Sequence, residues 1–333
     1  MLTLAVITTL FVAHASCLAQ AKKLPLFMPH VHLDDQNSYL CKTLKLTPRK
    51  TLYVTGFEPD ATANLHHMVV VGCSKPQKTL THWVCGRTTS EFDSKETNAN
   101  PCTEVPTIIY AWTPNAEPLK LPKNVGFQIG KGTRIHYLVL QIHYSETNKN
   151  DTSGLNVVYT ERPRNKLAGV LLLASEGTIP PRTVTRMEIL CQIKENKTIH
   201  PFAYRVHTHH LGKDVSGYVI RRDDSGTDRW TLLGRQDPRT PQAFRPVLDE
   251  NSIRYKDRLA ARCTMDSTNK TDSTIVGPDH ENEMCNFYLM YYVERTKPLD
   301  VKFCISRGPP HFYWRNKLNH LNNIPDEVAS IGD

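Results

Sequence analysis

Strand-like segments, most of them with a period of two in their side chains, recur in eight stretches of this chain. They are Thr51–Gly56, Met68–Gly72, Tyr137–Tyr144, Val157–Thr160, Ala203–His209, Tyr218–Arg221, Trp230–Leu233 and Phe287–Val293. Each is rich in β-branched or aromatic residues, and Gly, Pro, Asn and Asp cluster between them, which predicts short strands joined by turns. No stretch carries an i, i+3, i+4, i+7 apolar stripe long enough to predict a core helix. The 22 prolines, with the pairs Pro180-Pro181 and Pro309-Pro310, point the same way. The expected fold is therefore all-β, built from antiparallel β-sandwiches. The polar, proline-containing stretch Glu161-Arg-Pro-Arg-Asn165 is the expected boundary, giving an N-terminal domain over 22–163 and a C-terminal domain over 164–333. There is no internal repeat and no low-complexity segment.

Composition narrows the class. With 39% hydrophobic and 22% charged residues the chain can bury a core, which excludes wholesale disorder. The net charge of +8 is spread along the chain with acids interspersed, so nothing singles out a nucleic-acid binder. The first sixteen residues are apolar and carry no charged side chain, and Ala19-Gln-Ala21 followed by Lys22-Lys23 reads as a secretory cleavage site. Residues 1–21 are thus expected to be a signal peptide, although the only positive charge ahead of the apolar run is the terminal amine. No later run approaches roughly 18 apolar residues, so no membrane anchor is expected. Of nine cysteines, Cys17 falls in the leader; Cys41, Cys73, Cys85, Cys102, Cys191, Cys263, Cys285 and Cys304 remain. An even set in an exported chain predicts four disulfides, and the gap between Cys102 and Cys191 predicts two separately stapled halves. The sequons at Asn150, Asn196 and Asn269 are glycosylation candidates that fit passage through the secretory pathway.

The chemistry concentrates in the 15 histidines. If Tyr204–His210 is a strand, Arg205, His207 and His209 share one face, and a His-x-His pair on a strand can clamp a metal ion. In Met284–Tyr292, Met284, Asn286 and Tyr288 share a face while Cys285, Phe287 and Leu289 point the other way. A methionine is more often core filler than a ligand. Set opposite His207 and His209, however, Met284 would complete a His₂Met site, and soft sulfur selects copper, particularly Cu(I), over zinc. In Tyr137–Tyr144, His143 lies with Gln141 on the face opposite Leu138, Leu140 and Ile142. The adjacent His66 and His67 would point to opposite sides of a regular strand, so joint ligation requires a local irregularity or different ring nitrogens.

Several stretches resemble the copper type II, ascorbate-dependent monooxygenases, within them the branch acting on glycine-extended peptides. They are Asn64-Leu-His-His-Met, Leu140-Gln-Ile-His-Tyr, Tyr204-Arg-Val-His-Thr-His-His-Leu-Gly-Lys213, Gly234-Arg-Gln-Asp-Pro, Pro241-Gln-Ala-Phe and Glu283-Met-Cys-Asn-Phe-Tyr-Leu-Met-Tyr-Tyr292. The likeness runs from about Pro29 to Cys304. It implies two copper ions, one per sandwich domain, facing each other across a solvent-filled cleft, with ascorbate as reductant and O₂ as co-substrate. By the same resemblance His66, His67 and His143 hold the electron-transfer copper, and His207, His209 and Met284 hold the oxygen-binding copper. It further implies the disulfides Cys41–Cys85, Cys73–Cys102, Cys191–Cys304 and Cys263–Cys285. The chain departs from the family at one further bridge, from near the N-terminus to the end of the first domain. No cysteines exist for it here, and Asp151-Thr-Ser-Gly154 stands where one partner would be.

The implied activity is hydroxylation of the Cα of a peptide's C-terminal glycine, the first step of peptide amidation. Arg205 would read the terminal carboxylate, with Asn286 and Tyr288 completing the cradle. Ile305–Asp333 is short for a further domain, so the expectation is a monofunctional hydroxylase whose product passes to a separate lyase. Two alternatives stand beside this reading: a catecholamine- or tyramine-type β-hydroxylase, and a non-catalytic secreted copper-binding protein.

Overall fold

The computed structural model describes residues 21–33, 38–62, 65–85, 100–277 and 281–325; the expected signal peptide, 1–21, lies outside them except for Ala21. In the first half, a five-stranded sheet runs in the spatial order Trp83–Val84, Tyr39–Lys45, Tyr137–Tyr144, Leu65–Cys73, Thr107–Trp112. A second layer is formed by Lys22–Phe27, Gly154–Thr160, Thr51–Asp60 and Val125–Gly130. Between the layers pack Val54, Phe57, Phe127, Ile129, Leu155 and Val157 from one side and Met68, Val70, Leu138, Leu140 and Ile142 from the other. The second half repeats the arrangement. Lys166–Ser175, Asn286–Glu294, His200–His207 and Arg245–Pro246 form one layer. Val184–Gln192, Arg258–Asp266, Gly212–Arg222 and Asp228–Gln236 form the other, with a separate apolar core between them. Among the described residues the only helical element is the 3₁₀ turn Lys317–Asn319, and no helix is long and apolar enough to cross a membrane.

Two parallel pairings depart from the antiparallel expectation. Lys166-Leu167 pairs with Val125-Gly126, which joins a layer of each half into one ten-stranded sheet. Leu172–Ser175 pairs with Phe303–Ser306. Lys166–Ser175 is thus flanked on both edges and covered on both faces. Its sequence is accordingly a continuous apolar run, Val170-Leu-Leu-Leu173, and not an alternating one.

The two faces of this joining layer have different destinations. Leu171, Leu173, Tyr204, Val206, Phe287, Leu289 and Tyr291 enter the second core. Val170, Leu172, Ala203, Tyr288 and Met290 pack instead into the cluster formed with the first half. Because strand side chains alternate, Arg205 and His207 share the side of Ala203 and face the first half. That parity places the chemistry between the two halves.

All four disulfides implied by the resemblance are present: Cys41–Cys85, Cys73–Cys102, Cys191–Cys304 and Cys263–Cys285. Two stay within each half. Where the further family bridge is missing, buried Asp151 accepts hydrogen bonds from Tyr144 Oη (2.5 Å), Ser153 Oγ (2.6 Å) and Thr62 Oγ1 (3.0 Å). Met28 N donates to Ser153 O, so the N-terminal strand is held at this point by hydrogen bonds. The three sequon asparagines are exposed.

Candidate metal centre

His66 and His67 belong to the strand Leu65–Cys73, and His143 to its neighbour Tyr137–Tyr144. Along this ladder His67 is opposite His143, but Leu65 is opposite Tyr144. One step on one strand matches two on the other, so His66 is the extra residue of a β-bulge. This is the irregularity that adjacent histidines need if they are to face one site. Their Nδ1 atoms converge, at 2.8 Å for His66–His67 and 3.3 Å for His66–His143. Nitrogens about 2.0–2.1 Å from a common metal ion stand roughly 3.3–3.6 Å apart in tetrahedral or trigonal geometry. Only one proton can sit between two such nitrogens, whereas a single cation satisfies all three, so the donor set fits a metal. Tyr39 stacks on His143 with ring centroids 4.1 Å apart and meets His67 edge-on. Burial, and then the neighbouring His66 and His143, hold the pKa of His67 well below its ordinary value, in the neutral form that binds metal.

The second group comes from the other half. The strand His200–His207 ends at His207, so His209 lies beyond it and not, as the alternation implied, within it. Likewise Asn286–Glu294 begins after Met284. Arg205 is opposite Tyr288 and His207 opposite Asn286. Continuing that register by two residues sets His209 against Met284, but the ladder stops first because other groups take over the pairing. His209 N and Met284 N both donate to Glu283 Oε1, and Leu211 N donates to Glu283 Oε2 at 2.7 Å. The imidazole tautomers are fixed: His207 Nδ1 donates to Gln242 Oε1 (2.5 Å) and His209 Nδ1 to the Asn282 carbonyl (2.9 Å). Each ring therefore keeps its Nε2 lone pair for a ligand. Asn286 Nδ2 donates to Met284 Sδ at 3.5 Å. Burial, then Arg205, holds the His207 pKa well below its ordinary value.

Arg205 is 2% exposed. Its Nε donates to the Gln242 carbonyl at 2.7 Å, and its guanidinium carbon is 5.2 Å from the centroid of the Tyr288 ring. Burial lowers its pKa, and the charges that oppose this come from Tyr288 and Tyr110. Among the described residues no carboxylate pairs with it. An arginine stays charged when buried, so this guanidinium lacks a counter-ion beside the histidines.

The two groups are not separated by an open cleft. His66 lies 5.6 Å from His209 and 6.2 Å from His207, and His67 5.8 Å from His207, all between ring centroids and all edge to face. Thr113 Oγ1 donates across the halves to the Gln242 carbonyl (3.3 Å). The cleft implied by the resemblance is closed in this structure, and five imidazoles from both halves, His66, His67 and His209 among them only partly buried, stand side by side.

Gln242 and Glu283 are the residues that reasoning from the sequence left without a role. Both stand in blocks that carry the resemblance, Pro241-Gln-Ala-Phe and Glu283-Met-Cys-Asn. Neither lies on a face with periodic signal, and each acts through carbonyl or amide contacts that side-chain spacing does not reveal.

Family models described as "Copper type II ascorbate-dependent monooxygenase, N-terminal domain" and "C-terminal domain" match residues 24–151 and 166–317. The chain is 38% identical over 294 residues to rat "Peptidylglycine alpha-amidating monooxygenase", covering 86% of this chain and 28% of the relative. It is 35% identical over 310 residues to Xenopus laevis "Peptidyl-glycine alpha-amidating monooxygenase B", covering 91% and 33%. Bovine "Dopamine beta-hydroxylase" is 28% identical over 329 residues, covering 89% and 52%. The chain therefore spans a third or less of the amidating relatives' length. With both models matching on either side of the residue 161–165 connection, and His66, His67 and His143 in one match and His207, His209 and Met284 in the other, the chain belongs to the copper type II ascorbate-dependent monooxygenase family.

Proposed function

We propose that this chain hydroxylates the Cα of the C-terminal glycine of glycine-extended peptides, using O₂ and electrons from ascorbate, as the first step of peptide amidation. Two copper ions would supply the redox chemistry, cycling between Cu(I) and Cu(II) and activating O₂. His66, His67 and His143 would hold one in the half spanning 22–163. His207, His209 and Met284 would hold the other in the half spanning 164–333, where the thioether favours the reduced ion. The observation that carries the substrate assignment is Arg205, a buried guanidinium with no carboxylate partner among the described residues, on the same strand face as His207. A peptide's terminal carboxylate is the counter-ion that this position lacks, and it would fix the adjacent glycine Cα against the second metal site. Tyr288 and Asn286, opposite Arg205 and His207 on the neighbouring strand, would complete the cradle.

The names of the amidating relatives and their higher identity support a peptide over an amine substrate. A phenethylamine bears a cation and would gain nothing from Arg205. The product would be the peptidyl-α-hydroxyglycine, passed to a separate lyase. The eight half-cystines and the apolar leader sequence support secretion. O₂ uptake by the copper-loaded, ascorbate-reduced chain tests the substrate class. Consumption with a glycine-extended peptide and none with tyramine supports the proposal. The reverse result would assign the chain to the amine hydroxylases, and no uptake with either would favour a copper-binding protein.

A further inference from the structure

Glu283 is 1% exposed, and among the described residues no lysine or arginine pairs with it. Its charge is balanced by three backbone amides: His209 N and Met284 N on Oε1, and Leu211 N on Oε2. The main chain that carries this carboxylate is anchored as well. Glu283 N donates to the Ile275 carbonyl (3.0 Å) and Gly277 N to the Glu283 carbonyl (2.9 Å). Two residues on, Cys285 is bonded to Cys263 of the strand Arg258–Asp266. The neighbouring Asn282 carbonyl accepts from His209 Nδ1. One anchored side chain thus clasps the turn carrying His209 to the residue Met284, at the point where the strand ladder between them has ended.

We propose that Glu283 is a positioning residue that sets His209 and Met284 as one preformed ligand pair. The inference rests on the reading of His207, His209 and Met284 as a metal site. A neutral thioether on a side chain with three rotatable bonds is a weak, adaptable donor, so its contribution depends on how firmly its backbone is fixed. A carboxylate accepting three amide hydrogens does this without bringing a counter-cation into the site. An amide at the same place would turn one of its own donors toward one of those hydrogens, and alanine would leave three N–H groups, all at least partly buried, without this partner.

The test is copper K-edge X-ray absorption on the ascorbate-reduced, copper-loaded full chain, for wild type, Glu283→Gln and Glu283→Ala. Glu188→Gln serves as control, since that buried carboxylate is paired with Arg262 in the other layer (2.7 Å). Wild type and Glu188→Gln should show a sulfur scatterer. Glu283→Ala should lose it and bind copper at this site about 10- to 100-fold more weakly, as outer-sphere substitutions do, with the three-histidine site unchanged. Glu283→Gln should fall between. If Glu283→Ala does not fold, Glu283→Gln decides alone. Hydrogen exchange on wild type adds a readout that needs no variant: the amides of His209 and Leu211 should exchange as slowly as strand interiors despite lying outside a strand. Full sulfur scattering and unchanged copper affinity in Glu283→Gln, or rapid exchange at those two amides, would overturn the role of Glu283. Absence of sulfur in the wild type would overturn the ligand set itself.

Discussion

Replacing Arg205 by glutamine removes the one charge that the substrate assignment depends on. The guanidinium is desolvated, so a paired carboxylate would make charge-assisted hydrogen bonds worth about 1.5–3 kcal/mol. At about 1.4 kcal/mol per tenfold, kcat/KM for a glycine-extended peptide should fall roughly 10- to 150-fold. The substitution also removes the hydrogen bond from Arg205 Nε to the Gln242 carbonyl, and Gln242 orients His207. A loss in the single variant could therefore come from a displaced histidine. The discriminating assay is a cycle of four rates, pairing wild type and Arg205→Gln with a peptide acid and its C-terminal amide. Damage to His207 affects both substrates equally and cancels. The carboxylate contact does not cancel: amidating the substrate should cost the wild type about as much as the substitution does, and should cost the variant little. Equal penalties for the amide in both enzymes would remove Arg205 from the carboxylate role.

Substituting Met284 by isoleucine should abolish turnover while the three-imidazole site still loads with copper; full activity in that variant would refute the thioether assignment. Converting Cys263 and Cys285 together to alanine opens a loop with a sequence separation of 22 and should cost roughly 3 kcal/mol in denaturant unfolding, by the chain-entropy relation. An unchanged midpoint would show that this bridge constrains little. The metal-free chain should also lose stability in mild acid, because His67 and His207 have folded pKa values well below those of the unfolded chain. A depressed pKa makes the unfolded state bind more protons. Stability is then complete above pH ~6.5 and falls below it, by about 1.4 kcal/mol per pH unit for each group until its folded pKa is reached. A urea midpoint that stays flat between pH 7.5 and 5.5 would contradict this burial.

Strands that set polar side chains among apolar ones were readable in the sequence even where they are buried, and a continuous apolar run was not. Tyr137–Tyr144 has the same bounds in the structure as in the alternation. Lys166–Ser175 carries no alternation because both its faces are covered. In Arg258–Asp266 the buried Arg262, paired with Glu188, interrupts a run that would otherwise read as core. At the site, Arg205, His207, Asn286 and Tyr288 followed from strand parity. His66 did not, because a bulge depends on the register of two strands and cannot be seen in one. His209 and Met284 lie beyond their strands, and they are brought together by a carboxylate whose partners are backbone amides. The approach of the two halves was also beyond the sequence: it is set by the face of the joining layer that turns Ala203, Tyr288 and Met290 toward the first half.

Glycine hydroxylation by this chain can be followed through the fate of a single oxygen atom. The copper-loaded chain is incubated with ascorbate, ¹⁸O₂ and a short glycine-extended peptide near neutral pH, and the peptide is examined by tandem mass spectrometry. One ¹⁸O atom should be gained, and it should lie on the C-terminal glycine. A peptide that leaves without label, or one labelled at any residue other than that glycine, would contradict it.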